Sequence, residues 1–339
     1  RAADGRPVME FGSRHAQGYD GAIYGARAAI IGGCNSTACT IAEQMFGVPS
    51  AGTMAHSWVQ LFSTEYEAFK SWAEVYPDNC VLLIDTYNVL KSGLPNAIKV
   101  FDEVLKPKGY RPKGIRIDSG DITYLSKKCR EMLDEAGYSD VKIIVSNSLD
   151  EYIIRSVLRQ GAPIDGFGVG ERLITARSEP VFGGVYKLVA VEGNDEIIPK
   201  IKISENEEKI TNPGFKKIYR IFDKETDNAI ADLITLDGEK IDVTKPLVLF
   251  DPVFTWKKKK IRKYYIKDLM VKIFDKGKLV YECPEVCEIN KLAEKETSRL
   301  WHEVLRFENP HNYYVDLSSK LWSLKQNLIN KYSNIYNDN

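Results

Sequence analysis

The fold is most constrained by a regular alternation of β-type and helix-type segments, which runs from about residue 20 to residue 192. The apolar, β-rich runs end at polar or glycine-containing turns, and amphipathic segments lie between them. Alternation of this kind is typical of βα units, which build parallel sheets and barrels. The predicted strands are Val81 to Ile84, Gly114 to Ile117, Val141 to Val145, Ile164 to Phe167 and Tyr186 to Val191.

The segments between these runs have the boundaries of helices. Thr64 followed by Glu67 has the pattern of a capping box, and Gly137 and Gly161 stand where the next two helices should end. Apolar residues recur at helical spacing, which indicates buried faces. So many parallel strands favour an irregular (β/α) barrel over an open doubly wound sheet. We therefore predict an α/β fold in which residues 1–193 form a barrel, with its active site at the carboxyl ends of the strands.

The character of the sequence changes after about residue 193. A chain of 339 residues is longer than one core usually carries. A turn at Asn212-Pro213-Gly214 and shorter β-like stretches follow, and the stretch from Cys287 to Tyr332 is largely helical with a break near Asn309-Pro310. We expect residues 194–339 to complete the barrel and to supply part of a second α+β domain that ends in helices.

Composition excludes several classes of protein. Lysine plus arginine and aspartate plus glutamate both number 47, so bulk charge gives no argument for a nucleic-acid or membrane partner. No window approaches the run of about 18 apolar residues that a membrane span needs, and no signal-peptide pattern opens the chain. Six cysteines are few for this length and indicate reduced thiols in a cytoplasmic protein.

Two local patterns raise the question of a metal or a nucleic acid. No second ligand pair accompanies Cys283 and Cys287, and His302 and His311 are too isolated to complete a zinc site. We therefore assign no metal to protein side chains. The basic run from Lys257 to Lys263 lies among aromatic residues and is either a nucleic-acid patch or a solvated turn between two strands. The neutral charge of the whole chain favours the turn.

Polar residues follow the predicted strands and could carry chemistry. His56 comes just after a short apolar stretch, and Asp85, Asp118, Ser146 and Gly168 directly follow apolar, β-rich runs, so we expect all five residues to stand at the ends of strands. In the turn that Asp118 begins, Ser119, Gly120 and Asp121 complete a pattern that can hold Mg²⁺, ribose hydroxyls or phosphate. The same pattern also caps helices, so this turn alone leaves both readings open.

Two further turns and the start of the chain indicate the ligand. The backbone amides of Gly166 to Arg172 precede a helix start, and Ser146-Asn147-Ser148 forms another small polar turn one unit earlier. Two consecutive strand ends suited to phosphate are a recurrent arrangement in barrels. Near the start, Phe11 can stack on a ring and Arg14 can pair with a carboxylate. These turns together predict a phosphorylated ligand, an aromatic acid and a titratable histidine.

Five stretches of the chain are recognisable together. They are EFGSRHAQG at 10–18, GTMAHSW at 52–58, LLIDTYN at 82–88, IRIDSGD at 115–121 and GFGVGERLITA at 166–176. In this order and at these separations they resemble the nicotinate phosphoribosyltransferase family. Lys200 to Ser204, Asn212 to Gly214 and Val315 to Ser318 extend the resemblance into the tail, so that it covers essentially the whole chain.

The resemblance implies a type II phosphoribosyltransferase with an irregular α/β barrel and a second domain. Such an enzyme joins nicotinate to phosphoribosyl pyrophosphate, forms nicotinate mononucleotide and pyrophosphate, and couples this reaction to ATP hydrolysis in NAD biosynthesis. ATP is then a co-substrate, Mg²⁺ accompanies the pyrophosphate, and the protein is a homodimer with shared active sites. His56 matches the histidine that ATP phosphorylates transiently in the family.

The resemblance also implies roles for individual residues. Phe11 would stack on the pyridine ring, and Arg14 would face its carboxylate or the phosphates. Arg116 and Asp118 would position the aromatic acid and the ribose, and Asp85 would support this network. Further substrate contacts would come from Ser119, Gly120 and Asp121. The 5-phosphate would be held by Ser146, Asn147, Gly168, Val169, Gly170 and Glu171.

Three departures from the family pattern bear on the site. His15 stands where a second arginine is more usual, and Glu171 stands where threonine is usual. A carboxylate aimed at phosphate would repel it, so we expect Glu171 to turn outward and to contribute only its amide. The chain opens on Arg1 and reaches its first motif within a dozen residues. We therefore expect that it lacks the family's amino-terminal segment, which donates a tyrosine to the ring site, and activity without that segment is left open.

Several alternatives remain at this point. Nicotinamide phosphoribosyltransferase is the nearest, but it reads the amide with an aspartate on the helix after the first Gly-Gly turn, and counting back from Gly47 places Ala38 there. Quinolinate phosphoribosyltransferase would need more clustered basic residues. A generic sugar-phosphate barrel enzyme would have no reason to keep His56. In a different class, a non-catalytic nucleic-acid-binding protein would use Lys257 to Lys263 and would bind with a steep salt dependence.

Overall fold

The computed structural model describes residues 1–194, 196–206 and 209–337, and these form two compact units. The first unit comprises Arg1–Phe182 and Pro284–Glu294. The second comprises Gly183–Cys283 and the residues from Lys295 onward. A domain boundary between residues 193 and 194 stays a prediction. Within the described residues, no helix is both long and apolar enough to cross a membrane.

The first unit is built on a six-stranded parallel sheet with the order β2-β1-β6-β5-β4-β3. Its edge strands β2 and β3 do not pair with each other, so the sheet is a half barrel. The predicted α/β class with parallel strands is confirmed. The strands are β1 (Val8–Glu10), β2 (Ser36–Thr37), β3 (Val81–Leu83), β4 (Gly114–Ile117), β5 (Lys142–Val145) and β6 (Gly166–Val169).

Helices follow the strands as the alternation predicts. The Thr64 hydroxyl accepts a hydrogen bond from the Glu67 backbone N–H at 3.2 Å, which confirms that cap. Gly137 and Gly161 have φ of 80° and 73° just beyond two helix ends, as expected for glycine stops. The helices are α1 (Tyr19–Ile31), α2 (Thr40–Phe46), α3 (His56–Gln60), α4 (Glu65–Val75), α5 (Leu94–Val100), α6 (Ile122–Glu135), α7 (Glu151–Arg159) and α8 (Glu171–Ile174).

Short non-α helical turns extend this set. A π-helical segment precedes α5 and another follows it, and the second leads into a 3₁₀ turn. Gly93, in the first π segment, lies so close to β3 that a Cβ there would be 1.8 Å from the Ile84 carbonyl oxygen. The helix therefore packs directly against the end of the strand that precedes Asp85.

Three sequence predictions about strands are corrected. Tyr186 to Val191 is not a strand of this sheet: the strand β7 (Ala190–Gly193) begins near its end and pairs antiparallel with β8 (Glu196–Pro199). β6 runs to Val169, so Gly168 lies inside the strand. His56 is the first residue of α3, and the nearest β contact is an isolated bridge between Thr37 and Ser50.

Burial explains the sheet. In β4 and β5 the alternate residues Ile115, Ile117, Ile143 and Val145 are fully buried, whereas Arg116 between them is partly exposed. The buried face belongs to one continuous core that also contains helix residues such as Phe69, Phe101 and Leu133. Because neighbouring strands are in register, the opposite face is free to present polar side chains at the strand ends.

The second unit contains a four-stranded sheet with the order β13-β9-β10-β16 and an antiparallel pair, β11 with β12. The Lys257 to Lys263 run is itself mostly strand β12 and then turns into β13, which corrects the prediction of a simple turn. The strands are β9 (Lys216–Asp223), β10 (Ala229–Leu236), β11 (Leu247–Phe250), β12 (Lys258–Ile261), β13 (Tyr264–Asp268), β14 (Phe274–Asp275), β15 (Lys278–Leu279) and β16 (Val315–Leu317).

The last part of the chain contains two helices. These are α9 (Val286–Ser298), whose first residues pack in the first unit, and α10 (Ser319–Asn337). The break near Asn309-Pro310 is therefore longer than the sequence indicates, since residues 299–318 are not helical and include β16.

Candidate active site

Asp85 holds His56 in one orientation. The Asp85 carboxylate is only 1% exposed, and its Oδ1 lies 3.0 Å from Nε2 of the His56 imidazole. Its Oδ2 accepts hydrogen bonds from the Asp118 backbone N–H at 3.0 Å and from the Ser119 hydroxyl at 2.6 Å. A carboxylate at Nε2 favours a proton on that nitrogen, which leaves the Nδ1 lone pair on an imidazole that is 39% exposed.

Arg116 connects three parts of the site. Its guanidinium donates to the Ser146 hydroxyl at 2.9 Å, to the Thr53 hydroxyl at 2.9 Å and to Asp118 Oδ1 at 3.1 Å. The Ser146 hydroxyl donates in turn to Asp118 Oδ1. Arg116 is 15% exposed and lies with its guanidinium carbon 5.2 Å from the centroid of the Phe11 ring. The side chain is therefore fixed on all sides and presents a positive charge beside an aromatic ring.

Phe11 packs against strand β6, and this close contact requires glycine at position 168 of the strand. The Phe11 backbone N–H donates to the Val169 carbonyl at 2.8 Å, which continues the pairing of β1 with β6. A Cβ on Gly168 would lie 2.6 Å from two carbons of the Phe11 ring and 3.2 Å from the Ser146 Cβ. Glycine at 168 therefore allows the ring to lie flat against β6, next to Ser146.

The remaining predicted phosphate residues lie at neighbouring turns. Asn147 and Ser148 both have positive φ, 95° and 48°, so consecutive amides turn outward after β5. Gly170 is the N-cap of the short helix α8, and Glu171 is exposed at its first position. The Arg172 guanidinium bonds the Asp150 carboxylate, which caps α7. These turns after β5 and β6 are thereby tied together.

Two residues that were predicted to contact substrate make hydrogen bonds to their neighbours in the sequence. Asp121 caps α6 by accepting from the Tyr124 backbone N–H at 2.9 Å, as the alternative interpretation of that turn expected. Gly120 before it has φ of 79°. Arg14 is exposed in a 3₁₀ turn, and its Nε donates to Nε2 of the adjacent His15 at 3.1 Å. No described contact connects Arg14 with the residues around Arg116.

Sequence reasoning missed three polar residues that support the site. Glu10 is fully buried, and its carboxylate accepts from the Gly12 backbone N–H and, at 2.6 Å, from the Thr37 hydroxyl. The Glu10 carbonyl also accepts from the Ala38 N–H at 2.8 Å. Thr37 is the second of the three residues, and Thr53, whose hydroxyl bonds Arg116, is the third. The sequence signal that could have identified Glu10 is the position of its carboxylate directly before Phe11, at the end of a strand.

Ala38 lies at the end of β2, one residue before the Cys39 cap of α2, and not on a helix as expected. Its bond to Glu10 brings it to the residue next to Phe11. Among the described residues, no group of three or more histidine, cysteine or acidic side chains could hold a metal ion. The site thus combines an imidazole, a fixed guanidinium, an aromatic face and outward-turned amides.

Comparison with known proteins shows what the chain is similar to. A model of the nicotinate phosphoribosyltransferase C-terminal domain matches residues 215–325. A nicotinate phosphoribosyltransferase of Bacillus subtilis is 46% identical over 324 residues, which cover 96% of this chain and 66% of the relative. One of Dictyostelium discoideum is 32% identical over 374 aligned positions, which cover 95% of this chain and 62% of the relative.

A solved structure agrees with these relatives. The crystal structure of human nicotinic acid phosphoribosyltransferase matches with a TM-score of 0.78 and 27% identity, covering 97% of this chain and 72% of the human chain. The match extends over both units, so the barrel type of fold with a second domain is confirmed. The chain spans slightly less than two thirds of the length of the two curated relatives, 66% and 62%.

Proposed function

The chain belongs to the nicotinate phosphoribosyltransferase family, and we propose that it carries the site at which nicotinate is joined to phosphoribosyl pyrophosphate with hydrolysis of ATP. The products are nicotinate mononucleotide and pyrophosphate, a step of NAD salvage. The observation that carries the proposal is the bonded set of His56, Asp85, Asp118 and Arg116, because it joins a nucleophile for ATP to a site for an aromatic acid.

His56 takes part in the ATP step. Its Nδ1 attacks the terminal phosphorus of ATP, the bond from that phosphorus to the bridging oxygen breaks, and ADP leaves with the electron pair. Asp85 stays bonded to the proton on Nε2 and offsets the positive charge that develops on the ring. Water later removes the phosphoryl group, which returns the imidazole and completes ATP hydrolysis.

The transfer step uses the residues around Arg116. The pyridine nitrogen of nicotinate attacks the ribose carbon that bears pyrophosphate, and the carbon–oxygen bond to pyrophosphate breaks. Phe11 stacks on the ring, and Arg116 at 5.2 Å from that aromatic face attracts the carboxylate. Asp118 stabilises the cationic ribose in the transition state. Arg14, whose side chain is exposed, is assigned to the carboxylate or the phosphates.

The phosphates bind at the turns. The amides that follow β5 and β6 hold the 5-phosphate, with the Ser146 hydroxyl, Asn147, Gly168, Val169, Gly170 and the Glu171 amide as the contacts. Ser119, Gly120 and Asp121 face the ribose and the pyrophosphate. Mg²⁺ enters bound to pyrophosphate as part of the substrate, which is consistent with a site whose own carboxylates are engaged in hydrogen bonds.

The acid is favoured over the amide as substrate. Ala38 is bonded through its backbone to the residue next to Phe11, so position 38 lies beside the ring site. The methyl side chain of alanine cannot accept a hydrogen bond from an amide N–H. The comparisons support neither nicotinamide as substrate nor nucleic-acid binding through Lys257 to Lys263. We further propose a homodimer with shared sites, located in the cytoplasm.

Labelled ATP tests this function. The chain incubated with ATP labelled on the terminal phosphate should acquire acid-labile phosphate, and the labelled protein should form nicotinate mononucleotide when nicotinate and phosphoribosyl pyrophosphate are added. His56→Ala should abolish the label, because it removes the imidazole that accepts the phosphoryl group. His302→Ala, an exposed histidine of the second unit, is the matched control and should keep it. A label that survives His56→Ala would refute the assignment.

A further inference from the structure

The second unit contains a cavity of about 410 Å³. It is lined by β10 and β16, by the β11–β12 pair and by the segment that contains Trp301 and Tyr314. Its volume lies within the range of roughly 300–1,000 Å³ that is usual for small-molecule sites. All its lining residues belong to the second unit, whereas the residues around His56 belong to the first.

Three aromatic rings form one side of this cavity. The centroids of Trp301 and His311 are 6.4 Å apart, those of Trp301 and Tyr314 are 6.4 Å apart, and those of His311 and Tyr314 are 5.7 Å apart. The rings meet at steep angles of 63° to 71° and not in parallel stacks. Aromatic faces that are not stacked on each other can receive a flat ring from a ligand.

Charged side chains also line the cavity. Lys259 places its ammonium 5.1 Å from the centroid of the Trp301 ring, and Lys257 and Lys258 also line the cavity. In β12 successive side chains point to opposite faces, so Lys259 and the buried Ile261 share a face that Lys260 does not. The basic run that stands out in the sequence therefore has one lysine fixed over an aromatic ring of a cavity.

Asp316 is the most informative group in the cavity. The residue is 6% exposed, and within the described parts of the chain its carboxylate has no hydrogen-bond or ion-pair partner. Burial, with a smaller contribution from Asp251, raises the pKa of Asp316 to about 6. A buried carboxylate without a partner is costly, and buried polar groups in proteins are almost always bonded. A ligand that donates hydrogen bonds would satisfy it.

We propose that this cavity, called the Asp316 pocket below, binds a purine nucleoside monophosphate through a ring that stacks on the aromatic wall. Asp316 accepts hydrogen bonds from the edge of the ring, and Lys259 binds the phosphate. Guanine suits a carboxylate best, because its ring N–H and its amino group are two adjacent donors for two acceptor oxygens. The site goes beyond the phosphoribosyl transfer proposed above and gives the second unit a ligand of its own.

Binding of guanosine monophosphate to the chain, measured by isothermal titration calorimetry, tests the pocket. One molecule should bind per chain. Guanosine, which lacks the phosphate, and ribose 5-phosphate, which lacks the ring, should each bind at least tenfold more weakly. Adenosine monophosphate should bind several-fold more weakly, since adenine has only one donor group on the corresponding edge.

Variants locate the binding. Asp316→Asn and Lys259→Gln should each weaken guanosine monophosphate at least tenfold. Lys260→Gln, on the opposite face of the same strand, and Asp118→Asn, in the first unit, should change it less than twofold. If Asp316→Asn does not fold, two other measurements replace it. The first is binding to Lys259→Gln, and the second is the quenching of Trp301 fluorescence by guanosine monophosphate, with Trp301→Phe for comparison. The proposal fails if guanosine monophosphate does not bind, if Asp118→Asn abolishes binding, or if ribose 5-phosphate binds as well as the nucleotide.

Discussion

At the scale of single residues, the buried Glu10 carboxylate shows how one side chain can hold the backbone around its neighbour Phe11. Its buried carboxylate bonds the Gly12 amide on one side and the Thr37 hydroxyl on the other. These bonds fix the turns that hold Phe11 and Ala38. Both oxygens are acceptors and both partners donate, so an amide side chain cannot replace the carboxylate without leaving one donor unpaired.

We expect Glu10→Gln to lower kcat/KM for nicotinate by about 5- to 150-fold, which corresponds to about 1–3 kcal/mol for an unpaired buried group. Most of the loss should lie in KM for nicotinate, because the turn that carries Phe11 moves while His56 and Asp85 do not. Steady-state kinetics with each substrate varied would measure this. Thr37→Ser keeps the hydroxyl and should stay within about twofold; a fall in kcat alone would contradict a positioning role.

Sequence identified several residues that the structure brings together around His56, but it missed some of those that hold them in place. The family resemblance implied that Asp85 supports the network, and Asp85 bonds both the His56 imidazole and the Asp118 backbone. Thr53 stands inside the stretch that resembles the family, yet its bond to Arg116 depends on how far an arginine from β4 reaches. The spacing of residues along the chain does not show how far the Arg116 side chain extends.

At the scale of elements, one side of the six-stranded sheet is formed by very short strands. β1 has three residues and β2 has two, too few to show a period-two pattern, so neither was predicted. β1 nevertheless lies between β2 and β6 and carries the chain to Phe11. In contrast, Tyr186 to Val191 has strand-like composition but mostly lies outside any strand, because composition does not specify a partner.

The close approach of β1 and β6 makes Gly168→Ala a test of this arrangement. The added Cβ would lie 2.6 Å from the Phe11 ring, so the ring must move or the strands must separate. We expect a loss of about 1–3 kcal/mol in stability and a raised KM for nicotinate. Gly184→Ala is the control, because a Cβ there meets nothing within 4 Å. Thermal unfolding and kinetics of both variants would decide, and equal behaviour of the two would show that β6 tolerates a side chain.

At the scale of the whole molecule, buried carboxylates differ in whether the chain itself provides their hydrogen-bond partners. Asp85 beside His56 is bonded on both oxygens, and so is Asp232 in the second unit, which pairs with Arg220. Asp316 in the second unit has no such partners, and nothing in its neighbourhood in the sequence indicated that it would be buried. Its burial follows from the pairing of β16 with β10, a contact between distant parts of the chain.

The unpaired Asp316 should make the stability of the second unit depend on pH. Its pKa is raised from 3.8 to about 6, so the folded protein binds this proton more tightly than the unfolded chain does. The contribution of Asp316 to the free energy of unfolding is therefore highest below pH 3.8, falls as the pH rises through the window up to about 6, and stays low above it.

Asp316→Asn removes this penalty, so without ligand the variant should be more stable than the wild type by roughly 1–3 kcal/mol at pH 7.5, and the difference should shrink toward zero near pH 4. Native-state hydrogen exchange of amides in β10 and β16 measures the local free energy of opening at both pH values. Asp237→Asn, at an exposed turn of the same unit, should shift neither value. A variant that is less stable than the wild type at pH 7.5 would mean that the Asp316 carboxylate has a stabilising partner inside the folded chain, and the cavity would then have no need of a ligand.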